Sequence, residues 1–368
     1  MDNKTKVKVA VVIGIVILAV IFIIMVIFVK GNRTPVNKNI PTKGEAGYQD
    51  PTQKEDDTGE EEPEPTGEPV TLEDVMSLGI NDGNLVEIHS DLSSTIVRKM
   101  ESGYTEFCYG DNCVYTLVDN EDGTYSVIET DLSNSAYPDK TIMTTDAYGH
   151  ISNIEYYAGK LYFVSEKGQL IEYSISESFS KAFTNENEVS SFVINKINNS
   201  MILSYRPEGQ NPGIYILDFT SNNFTPIVTL NDLAGRLILN GKTLIIDIKE
   251  FQKLYAYDLE QNTVLEVGAD NVLASAENQI TFYNDLLLYT DGSAIDIRDA
   301  SGNAYQNGWY ALNDGTIADI SMLSSSQLQI ARYDANGSKK ITRSLVINLS
   351  DATMTELDSV YTGVIRMK

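Results

Sequence analysis

Two cysteines, two histidines and several Asp-rich turns are the residues of this chain whose types could do chemistry. Cys108 and Cys113 flank Tyr109-Gly110-Asp111-Asn112, a segment composed like a hairpin turn. A hairpin there brings the two sulfurs near one another across a strand pair, and an exported domain sits where disulfides persist. A disulfide between Cys108 and Cys113 is therefore expected, with two reduced structural cysteines as the alternative. Two thiols alone lack the other ligands of a metal site, and a redox pair is normally spaced Cys-x-x-Cys.

Asp119-Asn120-Glu121-Asp122-Gly123 and Asp334-Ala335-Asn336-Gly337-Ser338 resemble calcium loops, but each breaks the spacing and lacks the closing acid. Hairpin turns account for both. Asp122-Gly123-Thr124-Tyr125 falls short of a sialidase Asp box, which has a residue between its Asp and Gly. Asp91, Asp131, Asp218 and Asp258 each end a β-like run, where an Asp side chain caps the following turn. His89 lies at one such end and His150 in an Ala-Tyr-Gly-His connection. Neither has a nucleophile or carboxylate that the sequence places beside it. No catalytic residue, cofactor site or metal site is assigned. Sequons stand at Asn198, Asn223, Asn336 and Asn348. Trp309-Tyr310 falls in a turn-rich stretch, 303–315, that departs from the surrounding pattern. Filling the fold is the simpler role for these rings, and anchoring a partner the alternative.

Bulk charge narrows the partners. The formal net charge is −25, and beyond residue 70 there are 41 acidic against 19 basic residues. Nucleic acid requires a Lys/Arg face and is excluded as a partner. A polybasic lipid-docking surface is disfavoured for the same reason.

The elements that must position these residues begin with an unbroken uncharged run, VAVVIGIVILAVIFIIMVIFV, at residues 9–29. As a helix it would be about 31 Å long, enough to cross a bilayer. It is too long for a secretory signal core and is followed by Lys30-Gly31-Asn32-Arg33, with no small-residue cleavage site. An uncleaved signal anchor is expected, with residues 1–8 as a cytoplasmic leader and the remainder outside the cell membrane. Residues 30–70 form an acidic, Pro-rich tether. From Glu45 to Glu68 it carries ten acidic residues and one Lys, with almost nothing apolar to bury. Such a spacer would have an r.m.s. span of roughly 35 Å. Thr71-Leu72-Glu73-Asp74 then has the form of a capping box opening a short helix that Gly79 ends.

From residue 83 the chain is a repeat. One strand type recurs as VYTLVD (114–119), LYFVSE (161–166), MILSY (201–205), TLIID (243–247), LLLYTD (286–291) and LQIARY (328–333). Its centres are spaced by 47, 41, 42, 42 and 43 residues. A second type follows each copy, as in SVIETDL (126–132), LIEYSIS (170–176) and LYAYDL (254–259). A period near 40 with four strands per unit is propeller spacing. The amino-terminal unit is incomplete. Residues 85–92 match the second type and 96–100 would be its outer strand, while residues 360–367 could supply the missing inner part. Pairing of both termini would close the ring and leave no long edge exposed. The fold expected for 71–368 is thus an all-β propeller of seven blades, with six blades as the alternative.

The pattern Leu-Tyr-Phe-Val-x-x-x-Gly-x-Leu-x-x-Tyr at 161–173, with Ile-Tyr-Ile-Leu-Asp-Phe and Leu-Tyr-Ala-Tyr-Asp-Leu later, resembles uncharacterised bacterial surface propellers in the style of TolB-like and low-density-lipoprotein-receptor propellers. The resemblance implies a fold rather than an activity. The receptor-type Tyr-Trp-Thr-Asp motif is not intact, since Tyr289-Thr290-Asp291 lacks the Trp. The signatures of WD and kelch repeats are absent. The reading that follows is a binding or scaffold module held off the membrane, whose partner is an envelope protein or polymer. A propeller enzyme acting on a glycan, peptide or small metabolite is one alternative, and the sensory part of a membrane complex is another.

Overall fold

A computed structural model describes residues 72–100, 106–120, 124–248, 253–266, 280–290, 292–299, 304–311, 316–333 and 341–367. The proposed leader, span and tether lie outside these residues. No helix among the described residues is long and apolar enough to cross a membrane.

The described residues fold as seven four-stranded antiparallel sheets, so seven blades are present and the six-blade alternative is set aside. Blade I contains β1 (Val75–Asn81), β2 (Asn84–His89) and β3 (Ser94–Lys99). Blade II runs β4 (Phe107–Gly110), β5 (Cys113–Asp119), β6 (Tyr125–Asp131) and β7 (Asp139–Thr144). Blade III is β8 (Ser152–Tyr157), β9 (Lys160–Val164), β10 (Leu170–Ser174) and β11 (Phe179–Ala182). Blade IV is β12 (Val189–Asn195), β13 (Ser200–Tyr205), β14 (Gly213–Asp218) and β15 (Phe224–Thr229). Blade V is β16 (Arg236–Asn240), β17 (Thr243–Ile248), β18 (Lys253–Asp258) and β19 (Thr263–Glu266). Blade VI is β20 (Ile280–Tyr283), β21 (Leu286–Thr290), β22 (Ala294–Arg298) and β23 (Ala304–Ala311). Blade VII is β24 (Ile317–Met322), β25 (Gln327–Tyr333), β26 (Ile341–Asn348) and β27 (Met354–Leu357). The last strand, β28 (Thr362–Arg366), pairs with β1 as the inner strand of blade I, so both ends of the propeller share one sheet.

Alternation of side chains explains how the blades pack. Successive residues on a strand face opposite neighbours. Val114 therefore joins the cluster between blades I and II, and Tyr115 the one between II and III. Ile202 and Leu203 divide in the same way between the IV–V and III–IV clusters. Seven apolar clusters result among the described residues, one at each blade interface, including the one that closes VII against I. Tight turns fix the registers. Asp82-Gly83 and Asp111-Asn112 both adopt positive φ, as two-residue hairpin loops require.

The closure is held by side chains as well as by the ladder. Gln329, fully buried, donates to the Tyr361 carbonyl at 2.7 Å and accepts from the Tyr361 amide at 3.0 Å. The Tyr361 ring is buried in the VII–I cluster, and its hydroxyl donates to the Leu92 carbonyl.

The structure corrects the expectation of a capped helix ended by Gly79. Residues 75–81 are β1, which has β2 on one edge and β28 on the other. Gly79 is a packing residue: a Cβ there would lie 3.2 Å from Ile88 and 3.4 Å from Tyr361. Ladders on both edges of β1, with residues 77–80 all buried, outweigh a local capping signal. A second correction concerns 303–315. Its described part, β23, is the outer strand of blade VI, and Trp309 and Tyr310 pack against the VI–VII cluster.

Candidate functional site

Hydrogen bonds between turns divide the ring into two faces. On one, the turns joining second to third strands meet the connections between blades. Glu166 donates its amide to the Tyr148 carbonyl, and Arg206 to that of Glu188. On the other, turns joining first to second strands meet those joining third to fourth. There the amide of Leu132 donates to Asn112 and that of Phe219 to Asn199. The chain enters and leaves the propeller on this second face. The Ser90 amide, in a third-to-fourth-strand turn, donates to Asp74, and the Met367 amide donates to Met76.

The Asp residues read as turn caps are on this second face and act as such. Asp91 accepts the Ser93 amide at 2.9 Å and Asp131 that of Ser133 at 2.8 Å. Asp218 holds the amides of Thr220 and Ser221, and Asp258 those of Glu260 and Gln261. The Ser93 hydroxyl, with its amide, holds the Asp91 carboxyl below its ordinary range, and the Ser221 and Gln261 amides do the same for Asp218 and Asp258. His89 Nε2 bonds Thr95 Oγ1 at 2.9 Å, and His150 sits edge-on to Tyr125 with ring centroids 5.3 Å apart. Nothing brings these residues together as one site. Asn198 and Asn223 are exposed on turns of the second face, whereas Asn348 Oδ1 caps Ser350. Both calcium-like loops and Asn336 fall wholly or partly outside the described residues.

The Cys108 to Cys113 hairpin forms as the sequence suggests, but its register pairs Cys108 with Tyr115 and Cys113 with Gly110. The cysteines share a face at diagonal positions, and both are free thiols in the structure. Burial and the Glu129, Asp131 and Asp111 carboxylates push the Cys113 thiol up to about 11. Cys108, fully enclosed, is also pushed well up, mainly by burial.

An open cleft of about 700 Å³ lies on the first face, between blades III and IV. Its walls come from the β9–β10 turn (Gln169), the connection 185–188 and the β13–β14 loop, 206–210. The connection is fixed by backbone bonds, Asn187 amide to Lys167 carbonyl at 2.6 Å and Glu188 amide to Gly168 carbonyl at 3.1 Å. Glu188 is buried, and its carboxylate accepts the Asn185 amide at 2.8 Å. The loop is braced by Arg206, paired with Asp232 at 2.9 Å, and folds back as a turn in which the Gln210 amide donates to Pro207. Gly209, at φ 71°, takes the position in that turn that suits glycine. Glu208 and Gln210 are exposed at its tip, while Glu186 on the facing wall pairs with Lys167. This lining of carboxylates and amides can pair charge and exchange hydrogen bonds with a polar, positively charged partner. Sequence reasoning missed the cleft. Its one local signal is Pro207 and Pro212 bracketing an unusually long turn.

The sequence matches no family profile and no curated protein. Solved structures similar to it include a computationally designed protein, Ika8, with a TM-score of 0.48 at 12% identity, covering 80% of this chain and 92% of that one. TolB from Acinetobacter baumannii gives a TM-score of 0.47 at 14% identity over 62% of this chain and 61% of its own. BamB from Moraxella catarrhalis gives 0.44 at 11% identity, over 80% and 86%. Likenesses this distant assign no function, and the fold stands on its own strand order.

Proposed function

We propose that this chain is a membrane-tethered propeller of the cell envelope that works as a binding or scaffold module. Its partner is an envelope protein that presents basic side chains to the III–IV cleft. The observation that carries this reading is the open, carboxylate- and amide-lined cleft on the face opposite the one where the chain enters the propeller. A chain anchored through residues 9–29 and spaced by 30–70 would leave that face free to meet a partner. Net negative charge on the folded part would favour a basic partner and speed its encounter. The rigid ring supplies a preformed surface, which lowers the ordering cost of association.

The test is in-cell photocrosslinking from the full-length chain. A photoreactive residue at Glu208 is expected to trap a discrete protein adduct, and one at Asn222 on the second face is expected to trap none. Glu208→Lys and Glu186→Lys together should abolish an adduct formed from Gln210. The proposal is refuted if neither position yields an adduct, if both yield the same one, or if the double charge reversal leaves it intact.

A further inference from the structure

The inner strand of every blade is hydrogen-bonded on one edge only, so its other edge turns backbone donors and acceptors toward the ring's axis. Along β20, β24 and β28 these edges border a cavity of about 210 Å³ whose lining includes Thr281, Ser321, Gly363 and Arg366. Arg366 distinguishes this wall. Six other described arginines each reach a carboxylate or a tyrosine hydroxyl: Arg98, Arg206, Arg236, Arg298, Arg332 and Arg343. The guanidinium of Arg366, exposed to solvent, makes no ion pair or hydrogen bond among the described residues, in a domain where acids outnumber bases about two to one.

A second observation comes from the neighbouring strand. Ser77 lies directly across the β1–β28 ladder from Arg366 and so shares its face of the sheet. Ser77 is fully buried and its Oγ has no hydrogen-bond partner. A buried hydroxyl without a partner is costly to keep and calls for one, such as an ordered water or ion. Gly363, at φ 59°, lies within a register shift of the same ladder, at the cavity wall. Ser321 Oγ leans toward Asp319 at 3.4 Å, a long contact that leaves the hydroxyl able to turn to another acceptor.

From this geometry we propose that the inner-strand cavity is a binding site for a small oxyanion, held by the Arg366 guanidinium with the hydroxyls of Thr281 and Ser321. A guanidinium fork beside hydroxyl donors suits phosphate or carboxylate oxygens. The cavity is smaller than those that hold drug-sized ligands, which limits the occupant to a compact anion. The site is separate from the III–IV cleft and does not depend on the partner proposed there.

Isothermal titration of the purified full-length chain tests this, at low ionic strength with chloride held constant. Inorganic phosphate and citrate serve as separate probes, so that a preference for phosphoryl or carboxylate oxygens is read directly. At least one is expected to bind saturably at one site. Arg366→Gln should weaken that binding about tenfold or more, as loss of a charge-assisted bond does. Thr281→Val should weaken it by a few fold, with the unfolding midpoint of both variants unchanged. Absence of saturable binding by either probe overturns the proposal. So does undiminished binding in the Arg366→Gln protein.

Discussion

Replacing Gly110 by Ala is expected to destabilise the propeller far more than a buried methyl group ordinarily would. Gly110 closes the hairpin of β4 and β5, and the Tyr156 ring from blade III lies flat over its backbone. A Cβ built at Gly110 falls 1.8 Å from Tyr156 Cδ1 and 2.4 Å from Cγ, well inside contact distance. Its φ is not positive, so the whole effect is steric. Tyr156 has little freedom to retreat. It stacks on Tyr115 with centroids 5.3 Å apart and planes 4° from parallel. Its hydroxyl donates to Asp111 and accepts the Gly159 amide at 3.0 Å. Displacing the ring forfeits a stacking term of about 1 kcal/mol and two hydrogen bonds of about 1 kcal/mol each, while leaving it in place strains the core by about 1–3 kcal/mol. Either route gives a loss of up to about 3 kcal/mol, or roughly 5 °C in Tm for a domain of this size. Thermal unfolding of Gly110→Ala, Tyr156→Ala and the double variant measures it. Once Tyr156 is removed, the added methyl should cost less than about 1 kcal/mol, giving a coupling energy of about 2 kcal/mol or more. A Gly110→Ala protein with wild-type Tm, or one equally destabilised with and without Tyr156, would refute the reasoning.

Glu155 on β8 accepts the Ile194 amide from blade IV, and burial raises its carboxyl to about 7. Because the folded value exceeds the unfolded one, the folded state binds the extra proton between about pH 4.5 and 7, so stability declines as pH rises across that window. Allowing for its partial solvent contact, the decline is about 2 kcal/mol, and Glu155→Gln should flatten it, as denaturant midpoints at pH 5 and pH 8 will show. Glu87, also raised chiefly by burial, acts in the same direction. Gln329→Ala should leave the Tyr361 amide and carbonyl unpaired in the VII–I cluster, costing about 2–4 kcal/mol and raising hydrogen exchange in β28 before other strands. With its thiol near 11, Cys113 should alkylate at pH 8 about a hundredfold more slowly in the native protein than after unfolding, when two thiols should titrate without reductant. Absence of free thiols in the unfolded, unreduced chain would show that the hairpin distorts to form the disulfide.

Much of this fold was legible because it is made of local, repeated choices. The spacing of Tyr115, Tyr162, Leu203, Ile245, Leu287 and Ile330 located six of the seven second strands; the seventh, β1, was missed because its segment follows what reads as a helix start. The Asp residues at strand ends were read as turn caps and are, since an Asp–amide bond spans only two or three residues. The incomplete amino-terminal unit pointed to closure by residues 360–367, and β28 is that inner strand. Where a local signal competed with a ladder, the ladder prevailed. Thr71-Leu72-Glu73-Asp74 has the form of a helix start, yet β2 and β28 claim both edges of the segment that follows.

Residue types, strand period and ring closure were thus determined by the sequence itself, because each depends on neighbours a few positions apart or on one repeated length. Only the tertiary structure decided which residues meet. Glu186 and Glu208 face one cleft because two connections lie on the same face of adjoining blades. Ser77 and Arg366 stand side by side because the two ends of the propeller share a sheet. Cys108 and Cys113 fall at diagonal positions because the hairpin turns on two residues, where direct opposition would need a turn of four. Such meetings depend on register and on the packing of whole blades, and pairing registers are set by the buried faces together rather than by any one segment.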